Sequence, residues 1–156
     1  MIRRRCHGLC FVLVAMWASA ATGAPTLRIE PGPRVLEGEP IHLSVIDATP
    51  GAELTVTAER WMVAPPRQRP GYRLMRSEAA FVADGDGRVD LRTARPSRGS
   101  YQGADPRGLF WSMTAVVGAG PAPTSPPDTT EVRFHLRAGE AQHTASVVLM
   151  PSLPEV

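Results

Sequence analysis

Thr130-Glu131-Val132-Arg133-Phe134-His135-Leu136-Arg137 alternates apolar and polar residues without a break. A period of two places Val132, Phe134 and Leu136 on one face and Glu131, Arg133, His135 and Arg137 on the other. This is the pattern of a strand with one side in a core and one side in water. Ala138-Gly139-Glu140 then turns the chain, and residues 141–150 supply an antiparallel partner that ends before Pro151.

The same alternation recurs toward the N-terminus. Ile41, Leu43 and Val45 oppose His42, Ser44 and Ile46, and Thr49-Pro50-Gly51 closes that segment. Leu54, Val56 and Ala58 oppose Thr55, Thr57 and Glu59, with Trp61 and Met62 following. Residues 72–82 are again β-like. Asp84-Gly85-Asp86-Gly87 is expected to make a hairpin turn, because Asp-Gly pairs supply the positive φ that tight hairpins require. Val89 and Leu91 then alternate with Arg88 and Asp90. Leu27 and Ile29, among Pro25, Pro31 and Pro33, predict a short edge strand. Residues 109–117 are expected to be a further apolar strand. Residues 64–71 and 118–128, rich in proline, are expected to be exposed connections. Glycine and proline together make 30 of 156 residues, and most fall between apolar runs, so turns are favoured over long helices. The expected fold is all-β: an immunoglobulin-like β-sandwich of about seven to nine short strands, without the cysteine pair of antibody domains.

The first 23 residues read as a cleavable signal peptide, leaving residues 24–156 as the sandwich domain. Arg3, Arg4 and Arg5 precede an apolar run over residues 8–21, too short to span a bilayer. Ala18-Ser19-Ala20 and Ala21-Thr22-Gly23 are the two candidate cleavage sites. The expected location is therefore secreted or periplasmic, with membrane attachment only through an uncleaved leader. Cleavage would leave 14 arginines against 15 acidic residues, removing the electrostatic case for nucleic acid or an anionic membrane. It would also remove Cys6 and Cys10, the only cysteines, and with them any disulfide, reactive thiol or thiolate metal site.

One loop has a more specific composition: Gly99-Ser100-Tyr101-Gln102-Gly103-Ala104-Asp105-Pro106-Arg107-Gly108-Leu109-Phe110-Trp111-Ser112-Met113. It resembles the end of the N-terminal domain of the acyl-CoA thioesterase / bile-acid-CoA:amino-acid N-acyltransferase family. There Gly-Ser-Tyr-x-Gly-x-(Asp/Glu)-Pro-Met-Gly-Leu-x-Trp-Ser-(Met/Leu) is typical. The matching positions are Gly99, Tyr101, Gly103, Asp105, Pro106, Gly108, Leu109, Trp111, Ser112 and Met113, read as structural; Arg107 stands where the family often has Met. Gly38-Glu39-Pro40-Ile41-His42-Leu43, Arg76-Ser77-Glu78-Ala79 and Gly87-Arg88-Val89-Asp90-Leu91 resemble other landmarks of the same domain. The resemblance runs from Leu27 to Met150 and implies a β-sandwich. It also implies that the nucleophile, a Ser or Cys with its Asp and His, belongs to a following α/β-hydrolase domain. No catalytic residue is carried over onto this chain, which has no Gly-x-Ser-x-Gly elbow. The expectation is a non-catalytic module without cofactor, with an α/β-hydrolase domain on another chain as its partner; the alternative is a truncated or split thioesterase/acyltransferase whose activity needs a separate α/β-hydrolase domain.

Other residues admit sharper readings. His135 and His143 flank one turn and could face each other, but with His42 they form no metal-ligand pattern, so no metal is expected. Asp84 and Asp86 lack the later ligands of a calcium loop. Among Trp61, Tyr72, Tyr101 and Trp111, Trp111 is expected in the core, while Tyr101, in its loop, is open to a ligand. Arg67, Arg69 and Arg73 are read as a solvated surface rather than an anion site. Ser100 and Asp105 with a histidine would give the residue types of a triad, without a nucleophile elbow or oxyanion signal.

Overall fold

The computed structural model describes residues 24–64, 71–118 and 126–151. The leader reading and the readings of Arg67 and Arg69 fall outside the described residues. Among those described, ten strands run in chain order: β1 (Thr26–Glu30), β2 (Arg34–Leu36), β3 (His42–Ile46), β4 (Glu53–Val63), β5 (Tyr72–Val82), β6 (Val89–Asp90), β7 (Arg98–Gly99), β8 (Thr114–Ala115), β9 (Glu131–Ala138) and β10 (Ala141–Met150). The one helix among them is a single turn, α1 (Gly108–Trp111).

The strands form two sheets. One is ordered β1-β3-β6; the other is β2-β10-β9-β4-β5-β7, with β8 also on β5. The alternating segments fold as their periods dictate. Val132, Phe134 and Leu136 of β9 are buried, as are Leu43 and Val45 of β3 and Leu54, Val56 and Ala58 of β4. These inward columns, with Phe81 and Val147, make one continuous core between the sheets. The hairpin β9–β10 pairs through Ala138 and Ala141, as the Ala-Gly-Glu turn predicts, with Gly139 at φ 57°.

Three expectations are corrected. The Asp84–Gly87 segment is a tight turn, but not a hairpin. It passes the chain from β5 in the large sheet to β6, which pairs with β3 in the small one. The turn itself is well made: Asp84 Oδ1 accepts the N–H groups of Asp86 at 2.9 Å and Arg88 at 2.8 Å. Those bonds occupy the carboxylate in local structure. The proline-rich N-terminal segment holds two strands rather than one, β1 in the small sheet and β2 parallel to β10 in the large one. Finally, residues 109–117 are not one strand. They hold the turn of α1 and the two-residue β8.

Candidate functional site: a clamp on the edge of β5

The loop over residues 99–113 begins at β7 and ends at β8, and both strands pair with the same edge of β5. Gly99 sits opposite Ala79, and Thr114 opposite Arg76. The loop therefore leaves the edge and returns to it only a few residues away. Everything between is an excursion whose ends must be fastened.

Two serines do the fastening. Ser100 N–H donates to the Glu78 carbonyl at 2.8 Å. Its Oγ accepts the Glu78 N–H at 3.2 Å and lies 3.1 Å from the Glu78 carbonyl. Ser112 Oγ is 2.8 Å from Ser100 Oγ, so the start and end of the excursion meet in one hydroxyl pair. On β5 itself, the buried Ser77 donates its hydroxyl to the Leu109 carbonyl. Buried polar groups are costly unless paired, and here each finds its partner within the clamp.

Inside the clamp the chain turns by local hydrogen bonds. Asp105 Oδ1 accepts Arg107 N–H at 2.8 Å, and Gly108 N–H donates to the Asp105 carbonyl at 3.0 Å. Pro106, just before the N-cap residue Arg107, fixes φ in the turn that leads into α1. The turn then drives Leu109 into the core, 2% exposed. Gly108 is obligatory here, since a Cβ would overlap the Tyr101 ring. Gly99 is as constrained: it has φ 148°, and its missing Cβ would overlap the Glu78 carbonyl. Gly103 takes φ 80° in open space, and Pro106 is exposed. Met113 packs against the core from the side.

The aromatic expectations are reversed. Tyr101 is buried at 4% exposure, whereas Trp111 is 61% exposed. A strand would have carried Trp111 inward, but the helical turn rotates it out while Leu109 goes in. Trp111 is nonetheless held. Its indole Nε1 donates to Asp105 Oδ2 at 2.8 Å, and its ring meets Tyr101 edge to face at 6.2 Å between centroids. Trp61 and Tyr72 sit on β4 and β5, each half-buried, with Tyr72 opposite Val63 and Arg73 opposite Met62.

The indole N–H first, and then the Arg107 N–H, hold the Asp105 carboxyl below its ordinary range. A depressed carboxyl contributes stability above its unfolded value and loses it as pH falls through the folded one. The Trp111 indole resonance is thus expected to stay fixed down through about pH 4, the ordinary aspartate range, and to move only below it. An NMR titration centred at or above that range would contradict the bond. Burial, and secondarily the Asp105 charge, push the Tyr101 phenol up to about 12. Its contribution is complete below the ordinary tyrosine value and is lost as pH rises toward 12. In a Tyr72→Phe variant, the phenolate absorbance of Tyr101 is expected near 12. Ionisation at about 10, the ordinary value, would place the ring in water.

The histidines do not face one another. His135 stands opposite Thr144, and His143 opposite Leu136. His143 Nδ1 accepts the Leu27 N–H at 3.3 Å, which joins β10 to β1. His42 lies on β3, with a buried Nδ1 that has no partner among the described residues. No three His, Cys, Asp or Glu side chains converge among the described residues.

One constellation escaped sequence reasoning. His135 Nδ1 is 3.1 Å from Thr144 Oγ1, and its Nε2 is 3.6 Å from Glu59 Oε2. The order hydroxyl, imidazole, carboxylate is that of a triad, and only strand register could have revealed it. However, Arg76 Nε already donates to Glu59 at 2.6 Å. The group also lies on the water-facing side of the sheet, where an oxyanion would gain little from protein dipoles. Ser100 and Asp105, for their part, lie in the clamp without a histidine partner among the described residues.

The fold and the clamp together define a β-sandwich region whose loop is fastened to β5 through its own serines. Comparison with known proteins then gives the family. Residues 38–149 match the profile described as acyl-CoA thioester hydrolase/BAAT N-terminal region, and the chain belongs to that family. It is 35% identical over 88 residues to acyl-coenzyme A thioesterase 2, mitochondrial, of Rattus norvegicus, covering 56% of this chain and 18% of that protein. It is 32% identical over 90 residues to the peroxisomal succinyl-coenzyme A thioesterase of Mus musculus, covering 58% and 20%. Acyl-coenzyme A thioesterase 1 of Homo sapiens gives the same figures. The match thus spans about a fifth of the length of these relatives.

Proposed function

We propose that this chain is an exported, non-catalytic sandwich module of the thioester hydrolase family, and that acyl-CoA chemistry belongs to an α/β-hydrolase domain rather than to the sandwich. The observation that carries this reading is the clamp. The side chains that give the family loop its chemical look, Ser100, Ser112, Asp105 and Trp111, are engaged with one another and with β5. Their hydrogen bonds close the loop onto the sandwich. Export rests on the arginine-led apolar leader alone. N-terminal sequencing of the protein recovered outside the cytosol tests it: a start just after Ala20 or Gly23 supports export, and an intact Met1 opposes it.

A second reading treats the sandwich as one half of a split thioesterase whose hydrolase domain is a separate chain. Two observations favour it. The matched relatives are about five times longer than the matched stretch. Large apolar side chains also stand exposed, with Val63 at 68% and Val117 at 98%. Mixing this chain with the part of the rat thioesterase outside the matched stretch decides between the two. Co-elution with restored thiol release supports the split enzyme, and independent elution supports the standalone module.

A further inference from the structure

The inward column of β4 reads Leu54, Val56, Ala58 and then Arg60. Three positions fill the core, and the fourth brings a guanidinium to the place where the space between the sheets opens. The opening is a cleft of about 540 Å³. Its apolar walls are Ile41, Leu149, Phe110 and the fixed face of Trp111. Arg60 lies at their edge with Nη2 donating to the Thr129 carbonyl at 3.0 Å. Its Nε is buried and has no partner, and no carboxylate lies within ion-pair distance among the described residues. The Nε is closed to solvent, so it is the cleft-lining edge of the guanidinium that an acceptor would meet, in a charge-assisted hydrogen bond.

The rim also carries Glu37, Glu39, Asp105 and Arg107. Two of its carboxylates are already engaged: Glu39 accepts the Leu36 N–H at 3.1 Å, and Asp105 holds Trp111 and Arg107. Glu37 and Arg107 are exposed to water, which leaves Arg60, beside the apolar walls, as the part-buried cation of the cleft.

We propose that this cleft binds a small amphipathic carboxylate, its head accepting from Arg60 and its alkyl chain lying along Phe110, Trp111 and Leu149. The size is within the range of small-molecule sites, and the combination of an apolar lining with one orienting polar group is their usual composition. The inference stands on the chemistry of the cleft alone, independent of any role in thioester hydrolysis.

The test uses the whole soluble chain and three probes of one chain length: decanoate, decanol and decylammonium, each below its micelle-forming concentration. Binding is followed by calorimetry and by the Trp111 indole resonance, with that of Trp61 as internal control. Decanoate is expected to saturate and to shift Trp111 more than Trp61. Decanol should bind roughly tenfold or more weaker, the factor that a charge-assisted hydrogen bond supplies. Arg60→Gln should lose the same factor for decanoate while leaving decanol unchanged. The comparison of probes on the unaltered protein needs no variant, so a misfolded Arg60→Gln would not rescue the proposal. Equal binding of decanoate and decanol, or no binding of decanoate, would overturn it. Tighter binding of decylammonium would assign the rim carboxylates instead and equally overturn it.

Discussion

Phe134→Ala is expected to destabilise the sandwich by about 3–5 kcal/mol, the usual cost of emptying a buried phenylalanine site. Phe134 is fully buried on β9, the strand between β4 and β10. The backbone ladder on both sides pins the cavity walls, so little collapse can refill the space. Part of the loss is specific. Phe134 meets Phe110 edge to face, with centroids 5.7 Å apart, which ties the core to the clamp helix. A double-mutant cycle with Phe110→Ala should return a coupling of about 0.5–1.5 kcal/mol. Urea unfolding measures both. A loss under about 1 kcal/mol would mean that Phe134 is not at the centre of the core.

Gly108→Ala sets two effects against each other. On helix propensity alone, alanine should stabilise α1 by about 1 kcal/mol. The new methyl, however, would overlap the ring of Tyr101, which is itself buried and cannot step aside into solvent. Overpacking of this kind costs about 1–3 kcal/mol and in a single helical turn should prevail. The sign should reverse once the ring is gone. In a Tyr101→Ala background, Gly108→Ala is expected to be neutral or stabilising. A destabilising effect of equal size in both backgrounds, read from urea midpoints at constant slope, would exclude the Tyr101 overlap as its cause.

Much of this architecture was legible because a period of two is a physical instruction. Where Val132, Phe134 and Leu136 alternate with charged neighbours, only one register buries all three, and the structure adopts it. The Ala-Gly-Glu turn was legible for the same local reason. The failures lie where the local signal had two solutions. Leu109, Phe110 and Trp111 are consecutive apolar residues, compatible with a strand or with one helical turn, and the count of apolar residues cannot choose. The deciding signal was upstream: Asp105 followed by Pro106 is a turn-initiating pair, and Gly108 marks a close approach. Reading it would have turned Trp111 outward and freed the inward place for Tyr101. The Asp84–Gly87 turn was recognised, but the partner of the next strand is a long-range choice. No dipeptide states whether Val89 pairs with β5 or crosses to β3. The Thr144–His135–Glu59 contact and the unpartnered Arg60 also depend on which strands lie side by side. Along the chain, Arg60 is merely the next alternating position after Ala58.

The most direct test of the account is an acyl-thioester assay on the purified chain alone, across short, medium and long acyl-CoA substrates, with release of free CoA thiol as readout. On the proposed non-catalytic role, release is expected to be no faster than in buffer and unchanged by Ser100→Ala or by Thr144→Val. Saturable thiol release abolished by either substitution, with the melting temperature preserved, would contradict it and make the sandwich itself the catalyst.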